Sequence, residues 1–364
     1  MGKKRYFLLY PFSIFYRLIT DFRNLLFETG ILPSERFSLP VICVGNITVG
    51  GTGKTPHTEY LIDLLRKEFK VAVLSRGYKR KSKGFRIATM LSTVRETGDE
   101  PLQVFRKFPD ILVAVDRNRR SGIKGIMRQH PETDVIILDD GFQHRSVKPG
   151  LSILLTDYNR LITKDYLMPY GALRENRNNR KRAGVILVSK TPEEIPESSM
   201  ADIEKELKSH QGQKLFFTSI SYSDLTPLFE NSISKSDRLP EINPENHGAV
   251  LITGIAVPNS LHEFLGKYFK ETIHFNFPDH HYFSEKDIEK IKMAWNSLRS
   301  KKKILITTEK DAVRLREFTN IEDSLKRAFY YIPVRVSFLR NEQYEFDNLI
   351  LDYVRKSKRD NGVP

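Results

Sequence analysis

The stretch that decides the fold is VICVGNITVGGTGKTP, residues 41–56. An apolar run enters a turn rich in glycine, and the turn ends in the triplet Gly53-Lys54-Thr55. A strand, a glycine-rich turn and Gly-Lys-Thr at the start of a helix form the pattern of a phosphate-binding loop. The stretch therefore predicts a site for a nucleoside triphosphate at the end of a buried strand.

The loop has the residue types that bind polyphosphate. Its glycines permit left-handed backbone and leave amide groups open to phosphate oxygens, and the next helix points its positive end at them. Lys54 is long enough to reach the β- and γ-phosphates, and Thr55 can give its hydroxyl to Mg²⁺. Thr48 stands where the first glycine of the pattern is usual. The predicted nucleotide-binding residues are Thr48, Val49, Gly50, Gly51, Thr52, Gly53, Lys54 and Thr55.

A second stretch, DVIILDDGFQH at 134–144, supplies the acidic part of such a site. Asp139 and Asp140 follow an apolar run, so they emerge at the carboxyl end of a buried strand, where open α/β sheets bind ligands. One aspartate there can hold Mg²⁺ directly or through water. A second adjacent carboxylate is expected mainly beside a cation. We predict that both lie at the metal; the structural alternative is a pair of solvated loop residues.

Apolar runs alternate with helical patterns along the chain. Continuous apolar strands are buried on both faces, which predicts an α/β fold with a mostly parallel sheet between helices, as in P-loop NTPases. We expect an N-terminal helix (1–30), a P-loop core domain (31–222) and a smaller C-terminal α/β domain with its linker (223–364). The predicted strands are 41–45, 71–75, 111–115, 135–138, 151–155, 185–188, 250–253, 304–307 and 330–336. The predicted helices are 56–68, 119–129 and those near 258–269, 284–298 and 342–356.

The composition indicates a folded protein with an anionic partner. The 364 residues are 40% hydrophobic and 29% charged, unlike a disordered chain. Lys plus Arg is 59 against 45 Asp plus Glu, a formal charge of +14. Such an excess predicts attraction to nucleic acid, an acidic membrane surface or a phosphorylated substrate. Cys43 is the one cysteine, so a disulfide within the chain is excluded and a reducing, cytosolic setting is expected.

The N-terminus predicts an amphipathic helix. From residue 13 to 28 polar residues recur every three to four positions, with a broad apolar face opposite them. The longest uncharged run, 6–16, is too short to span a bilayer, and no signal-peptide cleavage pattern follows it. Two arrangements stay open. The helix lies on a membrane with the basic residues 3–5 towards anionic headgroups, or it docks on the protein's own core.

A kinase also needs an acceptor pocket and a group that takes the hydroxyl proton. Two segments supply candidates: TGDEP (97–101), which contains Asp99 and Glu100, and FPDHHYF (277–283), with Asp279, His280 and His281. A carboxylate can orient a hydroxyl and receive its proton, and a neighbouring histidine can hold that carboxylate in place. The alternative for the Asp-His-His run is a satisfied loop or a metal site, although its spacing does not suit zinc.

Two classes of nucleotide switch fit the sequence less well. GTPases recognise guanine through Asn-Lys-x-Asp, but in ITTEKDA (306–312) the lysine and aspartate are adjacent. Partition-type ATPases carry an extra lysine near the start of the loop, where this chain has Val49. Both comparisons favour phosphoryl transfer to an acceptor.

Seven motifs in this order resemble the tetraacyldisaccharide 4′-kinase family, the lipid A 4′-kinases of Gram-negative bacteria. They are VGNITVGGTGKTP (44–56), SRGYKRK (75–81), GDEP (98–101), DDGFQH (139–144), MPYGALRE (168–175), FPDHH (277–281) and TEKDA (308–312). The motifs extend over nearly the whole chain, and the N-terminal helix also matches the family's layout. The set is specific, whereas any one motif alone is not.

The resemblance implies transfer of the ATP γ-phosphate to the 4′-hydroxyl of a tetraacylated glucosamine disaccharide 1-phosphate. It implies ATP and Mg²⁺ as cofactors and a peripheral position on the cytoplasmic face of the bacterial inner membrane, with a glycolipid substrate and no protein partner. The resemblance also assigns roles to individual residues. Asp99 acts on the acceptor hydroxyl with help from His280, and Lys54 and Thr55 act as above. Asp139 and Asp140 lie at the metal, with Glu100 as a further candidate ligand. Gln143 lies beside the transferred phosphoryl group, and Arg174 contacts anionic substrate or phosphate.

Basic segments at 79–86, 117–120 and 174–182 can follow lipid headgroups and the phosphate of the substrate. An unpatterned solvated surface is the structural alternative. Two rival functions stay open: a nucleic-acid-associated P-loop ATPase and a membrane-bound nucleotide switch that has no acceptor. The first lacks a nucleic-acid-binding motif and leaves the aromatic N-terminal helix unexplained.

Overall fold

The computed structural model of the protein describes residues 7–208, 210–229, 246–256 and 258–360. Within these ranges the helices are α1 (Tyr10–Glu28), α2 (Lys54–Leu65), α3 (Val94–Thr97), α4 (Asp99–Lys107), α5 (Arg119–Gln129), α6 (Glu197–Leu207), α7 (Asn259–Leu265), α8 (Glu285–Ser297), α9 (Glu309–Leu315), α10 (Asp323–Ala328) and α11 (Gln343–Asp360). Short 3₁₀ turns occur at Phe7–Leu9, Ile162–Lys164 and Arg177–Arg182.

The larger of two sheets holds the strands up to residue 222 and one strand from near the C-terminus. They are β1 (Val41–Asn46), β2 (Val71–Ser75), β3 (Arg86–Ile87), β4 (Leu112–Val115), β5 (Val135–Asp139), β6 (Leu151–Asp157), β7 (Val185–Ser189), β8 (Lys214–Tyr222) and, from near the C-terminus, β14 (Val334–Phe338). In space they follow the order β14-β8-β7-β6-β1-β5-β2-β4-β3. The interior strands pair in parallel, and the edge strands β3 and β14 are antiparallel to their neighbours.

Each interior strand is buried on both faces. Ile42 and Val44 of β1 pack into a cluster with α2 and α11, while Val41 and Cys43 face the opposite cluster with α5 and α6. This burial explains the continuous apolar runs of the sequence. It also places the carboxyl ends of β1, β5 and β2 side by side at one edge.

The smaller sheet consists of β9 (Thr226–Pro227), β10 (His247–Thr253), β11 (Glu271–Asn276), β12 (Lys302–Thr308) and β13 (Phe329–Ile332), in the order β11-β10-β12-β13-β9. Helices α7 to α10 pack around it. The predicted fold class is confirmed: a mostly parallel P-loop sheet flanked by helices, a second smaller α/β unit and an N-terminal helix. Most of the predicted linker at 223–248 lies outside the described residues.

The end of the chain returns to the larger sheet. β14 pairs with β8, and α11 packs against the large-sheet core through Phe346, Ile350 and Val354. The assignment of residues 223–364 to one C-terminal domain is therefore wrong for these two elements. The single predicted strand 330–336 is also wrong, because the chain divides at Pro333 into β13 and β14 of different sheets. A pattern of apolar residues identifies a strand but does not specify the sheet that it joins.

Helix α1 docks through its polar face. Ser13 donates to the carbonyl of Leu167 at 3.0 Å and Tyr16 to that of Arg174 at 3.0 Å, and Asn24 is buried. The apolar face points outward, with Phe12, Phe15, Leu18 and Phe22 all more than 60% exposed. One of the two predicted arrangements was docking on the protein's own core; the helix does dock on the protein, but through polar residues, and its apolar face does not join the core. The basic residues 3–5 lie outside the described ranges.

The described helices, α1 included, are each too short or too polar to traverse a bilayer.

Candidate active site

The phosphate loop, residues 47–53, connects β1 to α2. Gly50 has φ +109° and Gly53 φ +79°, backbone conformations that favour glycine. A side chain at Gly53 would also meet Ile220 at 2.9 Å. Ser189, at the end of β7, donates to the carbonyl of Thr52 at 2.8 Å. Because the carbonyl and the amide of one peptide point in opposite directions, this contact turns the Gly53 N–H away from β7 and into the loop.

The segment 172–174 supports the start of the loop. The amide of Val49 donates to the carbonyl of Ala172 at 2.8 Å, and the amide of Arg174 donates to the carbonyl of Ile47 at 2.7 Å. Thr48 is buried between these contacts and, unlike Gly50 and Gly53, does not have left-handed backbone, so this position does not require glycine. The motif MPYGALRE therefore lies along the phosphate loop.

Lys54 begins α2 and faces Asp140, with its ammonium nitrogen 3.6 Å from Oδ1. Arg174 approaches the same oxygen at 3.2 Å and also donates to Asn46 Oδ1. Although burial works in the opposite direction, Lys54 and Arg174 lower the pKa of Asp140 to about 2. The structure thus brings three predicted residues together in one charged cluster. Thr55, the second residue of α2, is half-buried beside it.

Asp139 ends β5 and is buried. Its carboxylate accepts from Ser75 at 3.2 Å and more weakly from Thr58 at 3.4 Å. Burial, followed by the charges of Glu100 and Asp140, raises the pKa of Asp139 to about 6. The cationic side chains around Asp139 therefore do not fully neutralise the negative charge at this position.

These acidic residues fit a divalent cation that takes part of its ligands from phosphate. Within the described ranges, His, Cys, Asp and Glu form no group of three or more that would hold an ion by themselves. Mg²⁺ binds typically through one or two carboxylates together with phosphate oxygens and waters. Asp139 and Glu100 suit that role. Asp140, already paired with two cations, suits it less well.

Gln143 lies next to the loop. Its side-chain amide donates to the carbonyl of Asn46 at 2.6 Å, while its Oε1 is buried with no hydrogen-bond partner among the described residues. An acceptor oxygen free at this position can receive a bond from a ligand.

Asp99 and His280 meet across the two sheets. Asp99 begins α4, is buried, and lies with Oδ2 2.6 Å from His280 Nδ1. Burial works to raise the pKa of Asp99, but the His280 hydrogen bond and the charge of Lys310 lower it overall. His280 itself has φ +60°, a left-handed conformation that is uncommon for residues other than glycine, although histidine adopts it more readily than most. Asp99 is thus held as a carboxylate.

Lys310, on α9, determines the tautomer of His280. Its ammonium nitrogen lies 3.1 Å from His280 Nε2, 3.2 Å from Asp279 Oδ1 and 3.4 Å from Glu100 Oε1. An ammonium group can only donate, so Nε2 is the acceptor and Nδ1 carries the proton that is donated to Asp99. His281 is separate: it pairs with Asp287 at 3.1 Å and stacks on Phe277.

The carboxylate–histidine pair lies close to the acidic cluster. A side chain at Gly98, which precedes Asp99, would meet Gly77 of the loop after β2 at 3.2 Å. β2 is the neighbour of β5 in the sheet and ends in Ser75, which contacts Asp139. The pair therefore lies beside the carboxyl end of the strand next to β5.

A cationic cavity of about 450 Å³ opens at the start of α5. Its lining includes Arg117, Arg119 and Arg120 at the start of α5, and His144 and Phe27. Arg119 is buried and donates to the carbonyls of Asp116 and Asp139 at 2.6 and 3.0 Å, but its Nε has no partner in the described part of the chain. Burial, with the charge of Arg119, lowers the pKa of His144 to about 4. The cavity therefore suits an anion.

Sequence reasoning missed several residues of this site. Lys310 lies in the quoted motif TEKDA but was assigned no role, and Arg119 was included only within the basic run 117–120, which was expected to follow headgroups and the phosphate of the substrate. Asn46, which donates to Thr52 Oγ1 at 2.7 Å and accepts from Arg174, lies within the loop motif itself. Asn46 could have been found from the sequence, because it is a polar residue at the end of a buried strand. No local signal identified Lys310.

Comparison with known proteins points to one family. The model of the family Tetraacyldisaccharide-1-P 4'-kinase matches residues 5–355. The tetraacyldisaccharide 4'-kinase of Phocaeicola vulgatus is 48% identical over 358 residues, 97% of this chain and 96% of that protein. That of Bacteroides thetaiotaomicron is 46% identical over 359 residues, 97% and 94% of the two chains. The crystal structure of the "apo" form of LpxK from Aquifex aeolicus in complex with ATP matches with a TM-score of 0.72 and 28% identity, covering 94% of this chain and 98% of that one.

A phosphate loop, an acidic pair at the adjacent strand end and a buried carboxylate–histidine pair define a P-loop protein of the phosphoryl-transfer class. The family match extends over nearly the whole chain and agrees with both relatives and the solved structure. The chain belongs to the tetraacyldisaccharide 4'-kinase family.

Proposed function

We propose that this protein transfers the γ-phosphoryl group of ATP to the 4′-hydroxyl of a tetraacyldisaccharide 1-phosphate, a step of lipid A biosynthesis. The observation that carries the proposal is the Asp99–His280 contact at 2.6 Å, formed beside the carboxyl end of β2 between the start of α4 and the loop that follows β11. A nucleotide switch without an acceptor has no need of a buried base at that position. The names of the relatives and the ATP complex of the Aquifex aeolicus protein support the same reaction.

The phosphate end of the reaction rests on charge and position. Loop amides, Lys54 and the start of α2 hold the β- and γ-phosphates, and Thr55, Asp139 and Glu100 are the residues that would hold Mg²⁺. The ion, when bound, neutralises charge on the phosphate oxygens. Because bond-making is slight in a loose transition state, positioning and electrostatics supply most of the acceleration.

The acceptor end of the reaction rests on Asp99. Its carboxylate takes the proton of the sugar hydroxyl as the hydroxyl oxygen bonds to the γ-phosphorus and the bond to the β–γ bridging oxygen breaks, which leaves ADP. His280 donates from Nδ1 and holds the carboxylate in place. Arg174, beside the loop, stabilises the charge of the phosphoryl group, and the free Oε1 of Gln143 accepts a hydrogen bond from a hydroxyl group or water next to it.

The cationic cavity is the proposed place for the phosphate that the acceptor already carries. Arg119 offers an unpaired buried Nε, and Arg117 and Arg120 add positive charge. Guanidinium groups bind phosphate through charge-assisted hydrogen bonds. Phe27, from α1, forms part of the same wall, so the cavity opens beside the helix proposed below to contact lipid.

The protein is proposed to act as a peripheral protein on the cytoplasmic face of the inner membrane of a Gram-negative bacterium. The exposed apolar face of α1 supports this position, because hydrogen bonds of the polar face leave the aromatic residues free to enter the headgroup region. The formal charge of +14 favours anionic lipid. Acyl chains of the acceptor then stay in the bilayer while the sugar enters the site.

Mass spectrometry of the products tests the proposal. Wild-type protein, ATP, Mg²⁺ and the lipid A disaccharide precursor are expected to yield a lipid heavier by one phosphoryl group. Lys54→Ala is expected to yield almost none. Asp99→Ala is expected to lose at least about 100-fold in turnover, as removal of a general base does, while it still binds ATP. Asp323→Ala, at an exposed position on α10, is the matched control and is expected to be fully active.

Three results would contradict the proposal or part of it. ATP hydrolysis that is independent of lipid, with no phosphorylated product, indicates a switch. Binding to duplex DNA rather than to anionic vesicles at two salt concentrations indicates the nucleic-acid-associated ATPase. Full activity of Asp99→Ala would remove that residue from the reaction.

A further inference from the structure

We propose that the base of the bound nucleotide lies against the side chain of Lys190, at the carboxyl end of β7. The inference rests on the proposed function, since it requires a nucleoside triphosphate in the phosphate loop. The motifs of the sequence identify residues for the phosphates, metal and acceptor, but none for the base. The ligand class assigned here is a purine base in van der Waals contact with an aliphatic stem.

The position of the acceptor group decides the side on which the nucleoside leaves. Asp139, Asp140 and the Asp99–His280 pair all lie on the β5 side of the phosphate loop. In phosphoryl transfer the attacking and leaving oxygens are roughly in line through the phosphorus. The nucleoside must therefore extend in the opposite direction, over the carboxyl ends of β6 and β7.

On that side, Lys190 lies along the outer edge of the loop. Its ammonium group donates to the carbonyl of Gly51 and pairs with Asp157 Oδ2 at 2.8 Å. Asp157 ends β6 and is the register partner of Ser189, the residue that holds the carbonyl of Thr52. The nitrogen of Lys190 is thus held at two points on neighbouring elements. The methylene stem between this nitrogen and β7 is left in a defined position.

The backbone at Lys190 is also unusual. Its φ of +57° lies in the left-handed region, which costs energy for any residue except glycine. Strained backbone of this kind persists only where the surrounding contacts hold it in place. Such positions are common at ligand-binding sites. The side chain is 31% exposed, so one face of the stem remains accessible.

The methylene stem of a lysine held in this way offers an apolar surface, and the charge of the side chain stays at its far end. A purine ring laid on the stem buries apolar area on both partners, and the adjacent phosphates lie beside the ammonium group. Arg160 covers the tip of the loop instead, because its Nη2 donates to the carbonyl of Val49 at 2.6 Å. Of these two long side chains, Lys190 is the one that lies between the loop and the solvent on the side where the nucleoside emerges.

Two ligands that differ only in the base test the inference. Affinities of ATP and ribose 5-triphosphate, each with Mg²⁺, are measured by calorimetry for the full-length protein. The ratio of the two dissociation constants isolates the base, since both ligands share phosphates and ribose. Lys190→Ala is expected to reduce the preference for ATP by about tenfold, the effect of losing an apolar contact of roughly one to two methylene groups.

Lys190→Met separates the stem from the charge. It keeps an unbranched apolar chain but loses both contacts of the ammonium group, so both ligands are expected to bind more weakly while the ratio stays near that of the wild type. Lys214→Ala, at the opposite end of β8 in an exposed ion pair with Glu345, is the matched control and is expected to change neither constant.

If Lys190→Ala weakened both ligands equally, Lys190 would serve only to hold the loop, and the base site would be wrong. The same conclusion would follow if the wild-type protein bound ribose 5-triphosphate as tightly as ATP, although the phosphate site would then stand. Wild-type protein that bound neither ligand would overturn the proposed function together with the base site.

Discussion

At the scale of single residues, one lysine fixes the orientation of the carboxylate–histidine pair. Lys310 donates to Nε2 of His280, so the ring presents its Nδ1–H to Asp99. A protonated imidazole would carry a hydrogen on both nitrogens and would lose this contact. Lys310 is therefore a positioning residue, because it acts through His280 and Asp99.

We expect Lys310→Met to lower kcat by about 10- to 100-fold, a part of the 10²–10⁴-fold typical of general base catalysis, because Asp99 remains but is no longer held in one orientation. The affinity for ATP should change little, since Lys310 does not contact the phosphate loop in the structure. Lys310→Arg keeps a donor and should recover part of the activity. Steady-state kinetics with calorimetry measures both quantities.

The control for this variant is Lys292→Met, which removes an exposed lysine paired with Glu322 on the same side of the small sheet. It should behave as wild type. Equal losses in Lys310→Met and Lys310→Arg, or a loss confined to ATP affinity, would contradict a positioning role.

The sequence identified both members of the pair but not what connects them. Asp99 and His280 stand in motifs at which a carboxylate and a histidine are chemically useful, so residue type and motif order were sufficient. Lys310 contributes through contacts with residues 30 and more positions away. Its type alone does not distinguish it from the other lysines of the chain.

At the scale of elements, α1 has the opposite orientation to most amphipathic helices of soluble domains. Its polar face is buried through hydrogen bonds of Ser13, Tyr16 and Asn24, and its aromatic face is free. The segment that receives it, 167–175, also supports the phosphate loop. The helix is thereby connected to the site through one short stretch of chain.

We expect the double variant Phe15→Glu/Phe22→Glu to weaken binding to anionic vesicles by at least about 100-fold. Each buried phenylalanine contributes roughly 1.5–3 kcal/mol of transfer free energy, and the added carboxylates are repelled by the anionic surface. Both side chains are exposed, so the midpoint of thermal unfolding should not change. Vesicle co-sedimentation and differential scanning calorimetry provide the two measurements.

Met293→Glu/Tyr344→Glu is the matched control, because it removes two exposed apolar side chains from other helices. Its vesicle binding should fall only slightly, through the change in net charge. Comparable losses in both double variants would mean that charge alone, rather than the face of α1, governs association.

The amphipathic pattern of α1 was visible in the sequence, whereas its docking face was not. Periodicity reports that polar and apolar residues occupy opposite faces of a helix. Which face is buried depends on what the rest of the chain offers to it. Here the neighbouring segment offers backbone carbonyls and Glu175, and polar side chains satisfy them.

At the scale of the whole molecule, a partly buried ionic cluster connects the helices of the two sheets. Lys107 of α4 pairs with Glu59 of α2 at 2.6 Å and with Glu309 of α9 at 2.9 Å. Burial, with the charge of Glu309, raises the pKa of Glu59 to about 7. The helix of the phosphate loop, the helix of Asp99 and the helix of Lys310 are thus joined at one ammonium group.

We expect Lys107→Met to lower the free energy of unfolding by about 3 kcal/mol at pH 8, because the buried Glu59 and the half-buried Glu309 are left without their cation. The folded-state pKa of Glu59 lies above its unfolded value, so protonation favours the folded protein as the pH falls. The deficit should therefore be smaller at pH 5.5 than at pH 8. Urea unfolding at both values measures it.

Lys214→Met, which breaks the exposed pair with Glu345, is the control and should cost less than about 1 kcal/mol. A loss in Lys107→Met that is as small as in this control, or one that grows at acidic pH, would contradict the role assigned to the cluster.

The sequence by itself determined the phosphate loop, the acidic pair that follows β5 and the α/β class of the fold. Each depends on residues that are close neighbours along the chain, since a strand, a tight turn and a helix start are formed by local conformational preference and burial. The structure alone decided that His280 meets Asp99 across 181 positions, that β14 and α11 return to the larger sheet, and that Lys190 lies against Gly51. Those contacts arise when separate elements pack together, and no local periodicity encodes the pairing of side chains that are distant in the chain.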